Sequence, residues 1–212
     1  MSFKLIKYSF LIILFSSCSG VFTERLLLTD INSDNANIST QYWVGYDSDT
    51  NKAESCYYFE NAGYFSKSKI WVCEVNAKGK VYLRLKETKI ENRFIAQTTM
   101  WTDDGQSITS LSILIKKSSD EYHSYLLSDN GYKIAENSAK LKNLKDHYSV
   151  KISKSENTLT FDSEAVDLYS DDIISFLESL NLNIELKKVA IFKATDKEFY
   201  DKTLKKINAP RK

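Results

Sequence analysis

From position 81 to 86 apolar and polar side chains take turns, Val81, Leu83 and Leu85 against Tyr82, Arg84 and Lys86. Successive side chains of a strand point to opposite faces, so this period of two specifies a strand with one buried face. Further strands are expected over 93–101, 107–117, 121–128 and 158–161, and Tyr148, Val150 and Ile152 alternate with Ser149 and Lys151 in the same way. Between them stand Lys78-Gly79, Asp104-Gly105, Asn130-Gly131 and the polar residues 155–157. Asn and Gly tolerate positive φ, so these read as tight turns, and short strands joined by tight turns make an antiparallel meander. No repeat period indicates a solenoid or propeller.

The last fifty residues change period. Ser170 with Asp171 and Asp172 can cap a helix whose Ile173, Leu177 and Leu180 share a face. Strand character returns over 186–193, and Thr195 to Glu198 spells a capping box opening a second helix with Phe199, Thr203 and Ile207 on one stripe. No linker interrupts this run. The expected fold is α+β: mainly an antiparallel β meander, either a sheet or a partly closed barrel, with short C-terminal helices in a single domain over 40–212.

The N-terminus is of another kind. Lys4 and Lys7 precede an apolar run over 8–15, and Ser16 and Ser17 then precede Cys18. The run is shorter than the roughly 20 residues needed to span a bilayer, and the small residues suit a signal peptidase. This stretch resembles the bacterial lipoprotein signal class, with Phe15 standing where that class usually has Leu. The resemblance covers about the first 20 residues. It implies removal of 1–17, a diacylglycerol on the Cys18 sulfur and an acylated Cys18 amine. With Ser19 rather than Asp next, it also implies sorting to the outer membrane, the domain lying in the periplasm or at the cell surface. The competing reading is an ordinary secretory signal cut near 18–20. Residues 18–39, polar and Asn-rich beyond Thr23, read as a lipidated N-terminus and a tether, with Leu26 to Leu28 as the exception.

With Cys18 used for lipid, Cys56 and Cys73 remain as a pair in an oxidising compartment. A hairpin with Phe59 facing Ile70 would set Cys56 opposite Cys73, and a disulfide between them is expected. Two cysteines without a nearby histidine do not supply a tetrahedral metal set. The chain has 42% hydrophobic residues, enough for one core, and a formal net charge of +1, which offers no basic field for nucleic acid.

Catalytic signatures are missing: there is no Walker loop, no Gly-x-Gly-x-x-Gly, no His-Glu-x-x-His and no Gly-x-Ser-x-Gly. Asp120, Glu121 and His123 together with a serine would make a hydrolase site, but His123 and His147 both sit in strand-like segments and read as ordinary strand residues. Asp47, Asp49, Asn51 and Glu54 have oxygen ligands at calcium-like spacing, yet Lys52 stands where an EF-hand needs glycine, and a solvated loop accounts for them. Thr102 to Asp104 read as a turn beside Gly105. Tyr64 and Phe65 fall in the loop of the expected disulfide hairpin, where they either fold back or project as a protein-binding anchor.

No metal or cofactor is expected. The leading expectation is a membrane-anchored envelope lipoprotein acting as a non-catalytic protein-binding module, in assembly, adhesion or immunity-type inhibition. A lipocalin-like carrier of a small apolar ligand and a periplasmic hydrolase are the alternatives.

Overall fold

In the computed structural model, residues 20–29, 31–34, 41–60, 71–101, 107–139, 141–142, 150–153 and 158–210 are described. After β1 (Gly20–Thr23) the chain lays down β2 (Tyr42–Asp47), β3 (Ala53–Glu60), β4 (Trp71–Val75), β5 (Gly79–Glu87), β6 (Arg93–Trp101), β7 (Ser107–Ser118) and β8 (Glu121–Leu127). Each strand from β2 to β8 pairs antiparallel with the next, which is the expected meander. Then come helix α1 (Asp129–Asn137), β9 (Val150–Ser153), β10 (Thr158–Phe161), α2 (Ser163–Ser179), β11 (Leu186–Ala194) and α3 (Lys197–Asn208).

Closure comes from the far end of the sequence. β11 enters antiparallel between β8 and β2, so β2 to β8 plus β11 form a closed eight-stranded barrel rather than a partly closed one. Closing the sheet removes the two edges a meander would expose. The barrel dominates, and the α+β label fits only loosely. β7 also carries an extension on its outer edge. Ile113 to Ser118 pair with β8, whereas Thr109 to Leu111 pair with β1, which is followed by β10 and β9.

The largest core lies outside the barrel. Ile95, Leu111 and Ile113 project from the outer wall against Leu159 and Phe161 of β10 and Ile173, Phe176 and Leu177 of α2. Polar residues of β6 serve this same outer face. Gln97 is 1% exposed and grips the Leu28 backbone, its Oε1 accepting from the amide at 2.7 Å and its Nε2 donating to the carbonyl at 3.0 Å. Leu27 and Leu28 are fully buried, and the Asp34 amide donates to the Leu85 carbonyl. Residues 20–29 and 31–34, expected within the tether over 18–39, are thus built into the domain. Leu26 to Leu28 carried the signal, with Leu27 and Leu28 the residues that enter the core.

Three turn and cap expectations change. Asn130-Gly131 does not close a hairpin; Ser128 caps α1 by accepting from the Gly131 amide at 3.2 Å, and the pair lies inside the helix. A Cβ on Gly131 would collide with the Glu185 carbonyl, so glycine is needed there for close approach to the segment entering β11. α2 starts at Ser163 under an Asp162 cap, and non-helical Tyr169 marks a kink just before the start expected at Ser170. In α3 the cap is Asp196, one residue later than the expected box. Its buried stripe is therefore Tyr200 and Thr203, with Leu204 and Ile207 packed beside Val44 and Cys56, while Phe199 faces out.

Candidate functional site

The barrel encloses an apolar cavity of about 80 Å³. One wall is aromatic: Trp43 (β2), Tyr57 and Phe59 (β3), Tyr122 (β8) and Phe192 (β11). Trp43 and Tyr122 meet edge to face with ring centroids 5.7 Å apart, and Tyr57 and Phe192 do so at 5.4 Å, the offset geometry aromatic quadrupoles favour. Gly45 makes room for this wall, since a Cβ there would collide with the Ser55 hydroxyl and crowd the Tyr57 and Phe192 rings. The facing wall comes from β5 to β7 and includes two small side chains, Ala96 and Ser112, which are register partners. Their size leaves a notch between Leu85, Thr98 and Leu114.

The cavity lies toward one rim, made by the starts of β2, β4, β6 and β8 and the ends of β3, β5, β7 and β11. Trp43, Phe59, Leu85, Tyr122 and Phe192 each lie within two residues of a strand end on that rim. Phe59, Leu83, Tyr122 and Phe192 are only half-buried although they line the cavity.

Among the described residues no charged side chain lines the cavity. Burial pushes the Tyr57 and Tyr122 phenols above their ordinary range and the Cys73 thiol well above its own, so all three stay neutral at physiological pH. The lumen is a neutral, largely hydrocarbon environment with hydroxyls at Thr98, Ser112 and the tyrosines. The polar residues of β6 leave it so. Arg93, Gln97 and Thr99 face the outer core, while Phe94, Ala96, Thr98 and Met100 face in.

The expected Cys56–Cys73 disulfide does not form; both thiols are free and buried. The cause is register. β3 pairs with β4 so that Phe59, not Cys56, lies opposite Cys73. The three-residue offset is odd, and an odd offset reverses the face. Cys73 therefore points into the lumen, whereas Cys56 points outward beneath α3, where burial raises its thiol to about 11. Neither thiol has the lowered pKa of a reactive cysteine.

The suspected hydrolase residues do meet in part, on the outer face. His123 Nε2 lies 2.6 Å from Glu121 Oε1, and Lys193 Nζ approaches the other Glu121 oxygen at 3.5 Å. The histidine holds the Glu121 carboxyl below the usual carboxylate range. Among the described residues Glu121 is the only hydrogen-bond partner of His123, so no serine completes a relay. Replacing His123 with alanine should leave lumen binding unchanged and raise the Glu121 pKa toward its ordinary value, as NMR titration would record. The linkage follows the depressed carboxyl: its stabilising contribution is present above the unfolded carboxylate pKa and is lost as pH falls through the folded value.

Asp47 closes the β2–β3 turn, accepting from the Thr50 amide and hydroxyl, both at 2.7 Å, which lowers its pKa. Among the described residues no group of three His, Cys, Asp or Glu is placed to hold a metal. Cys18, Tyr64, Phe65, His147 and 102–104 lie outside the described residues. The chain matches no protein-family model, and neither the curated proteins nor the solved structures provide a match.

Proposed function

We propose that this chain is an exported, lipid-anchored barrel protein that works by binding rather than by catalysis, with the lumen as its site. The observation that carries this reading is the neutral apolar cavity inside a closed eight-stranded barrel, an architecture whose interior is just wide enough for side chains or one small ligand. It favours the carrier among the functions expected from sequence. The start of the fold fits a leader removed before Gly20. Gly20 and Val21 are buried in β1 between β7 and β10, so a signal peptide cut beyond them would strip part of the core. A cut before Cys18 leaves the domain whole, with Ser19 alone between the lipidated residue and β1. A chain this short, at ~3.3–3.6 Å per residue, holds the domain against the outer-membrane surface instead of lifting it on a tether.

Protein docking is the second reading. β3 ends and β4 begins on the rim nearest the cavity, so the connecting loop that carries Tyr64 and Phe65 leaves from that rim. In that reading Tyr64→Ala with Phe65→Ala weakens capture of an envelope partner.

Native mass spectrometry of protein extracted from its own membrane tests the proposal. The expected species begins at Cys18, carries the mass of the acyl groups and holds a noncovalent apolar adduct. An unmodified N-terminus beyond Cys18 would remove the anchor. A bare barrel that also takes up no apolar dye would remove the carrier reading.

A further inference from the structure

We infer that the lumen takes the end of an unbranched alkyl chain, tail first through the nearer rim, with the polar head left outside. This rests on the reading of the lumen as a binding site and specifies what fills it. Three observations carry it.

Shape is the first. The Ala96–Ser112 pair forms a notch across from the Trp43, Tyr57, Tyr122 and Phe192 wall, and the space between measures about 80 Å³. That is below the ~150 Å³ cavity that accepts benzene and far below the ~300–1,000 Å³ of drug-sized pockets. A fused ring does not fit; a linear tail does.

The lining is the second observation. Among the described residues it holds no charged side chain, so a carboxylate or phosphate drawn inside would lose its hydration without an ionic partner. Position is the third. The half-buried Phe59, Leu83, Tyr122 and Phe192 lead from the rim into the notch. A tail can therefore enter while its head stays in water. Free fatty acids and lysophospholipids share this chemistry and differ only in the part left outside.

The test uses the chain from Ser19 to Lys212, which keeps every described residue and removes the anchor's own acyl chains from the assay. Titration with trans-parinaric acid, a linear fluorescent fatty acid, is expected to give saturable enhancement. Saturated fatty acids should displace it, with affinity rising about fourfold per added methylene, the equivalent of ~0.8 kcal/mol, and levelling off once the slot is filled. A lysophospholipid of equal chain length should compete comparably. Competition by the free acid alone would show that the head is recognised and overturn the tail-first assignment; equal competition by a sterol would overturn the slot. Ala96→Leu and the milder Ser112→Val should each weaken parinaric acid at least tenfold while leaving the melting temperature unchanged or higher, because they fill empty space. Unchanged binding in a folded Ala96→Leu protein would place the ligand elsewhere. Uptake of 1-anilinonaphthalene-8-sulfonate, blocked by Ala96→Leu, without uptake of parinaric acid would overturn the alkyl class and keep the lumen as a site. Uptake of neither would overturn both.

Discussion

A chain ending at Asn183, before β11, is expected to lose cooperative folding altogether. β11 has five register pairs with β2 and seven with β8, and it delivers Phe192 to the aromatic wall. Each ladder hydrogen bond is worth about 0.5–1.5 kcal/mol net, so losing both ladders removes an amount comparable with the ~5–15 kcal/mol stability of a typical domain. The truncation also takes away α3, which covers Val44 and Cys56, and leaves β2 and β8 as open edges prone to pairing between chains. Circular dichroism melting and size-exclusion chromatography should show no sharp transition and a shift to aggregates. A sharp transition in monomeric truncated protein would mean that the meander is stable as an open sheet and that β11 is an accessory.

Arg93→Ala is expected to be the most damaging single substitution considered, costing about 3 kcal/mol. Arg93 is 2% exposed and donates from Nη1 to the Leu180 carbonyl at 2.8 Å and from Nη2 to the Leu177 carbonyl at 3.1 Å. Those carbonyls end α2, where the helix dipole favours a cation, and the Leu180 amide reaches the Leu177 carbonyl only at 3.5 Å. Burial lowers the Arg93 pKa, yet Glu178 and Glu185 act in the opposite direction and guanidinium stays charged in proteins. Alanine would take the guanidinium donor from the Leu180 carbonyl, leave the Leu177 carbonyl only the long bond from the Leu180 amide, and loosen α2 from the barrel wall. At ~2–4 °C per kcal/mol for a protein of this size, the melting temperature should fall by roughly 6–12 °C. Arg93→Lys keeps the charge but not the two-pronged donor, so it should recover only part of the loss. An Arg93→Ala protein within 0.5 kcal/mol of wild type would contradict the cap.

Local features were readable from sequence wherever period and turn chemistry agreed. The strands expected over 93–101 and 107–117 pair as β6 and β7, and their register places Ala96 beside Ser112. What remained hidden was non-local. Closure needs β11 to find β8 and β2 across most of the chain, and nothing in the residues of 186–194 marks that choice. The cysteine pairing failed because a hairpin with a long connection leaves register open, and an odd offset is enough to turn Cys56 away from Cys73. β6 carries polar residues on both faces, yet both faces are covered, and Arg93 and Gln97 are buried because they bind backbone groups of α2 and of the Leu28 segment. At α1, Asn130-Gly131 carries a hairpin signature, while Ser128 before it carries a cap; the cap prevailed, and glycine is kept by its contact with Glu185.

Everything functional in this account depends on an empty apolar space inside the closed barrel. The most direct test is a crystal of the chain from Ser19 onward, held under xenon pressure, because dry apolar cavities take up xenon whereas packed or hydrated ones do not. The expected result is a xenon atom in the lumen against Ala96 and Ser112, facing the Trp43 and Tyr122 rings. A lumen closed by repacked aromatic side chains, or filled by hydrogen-bonded water that excludes xenon, would contradict it.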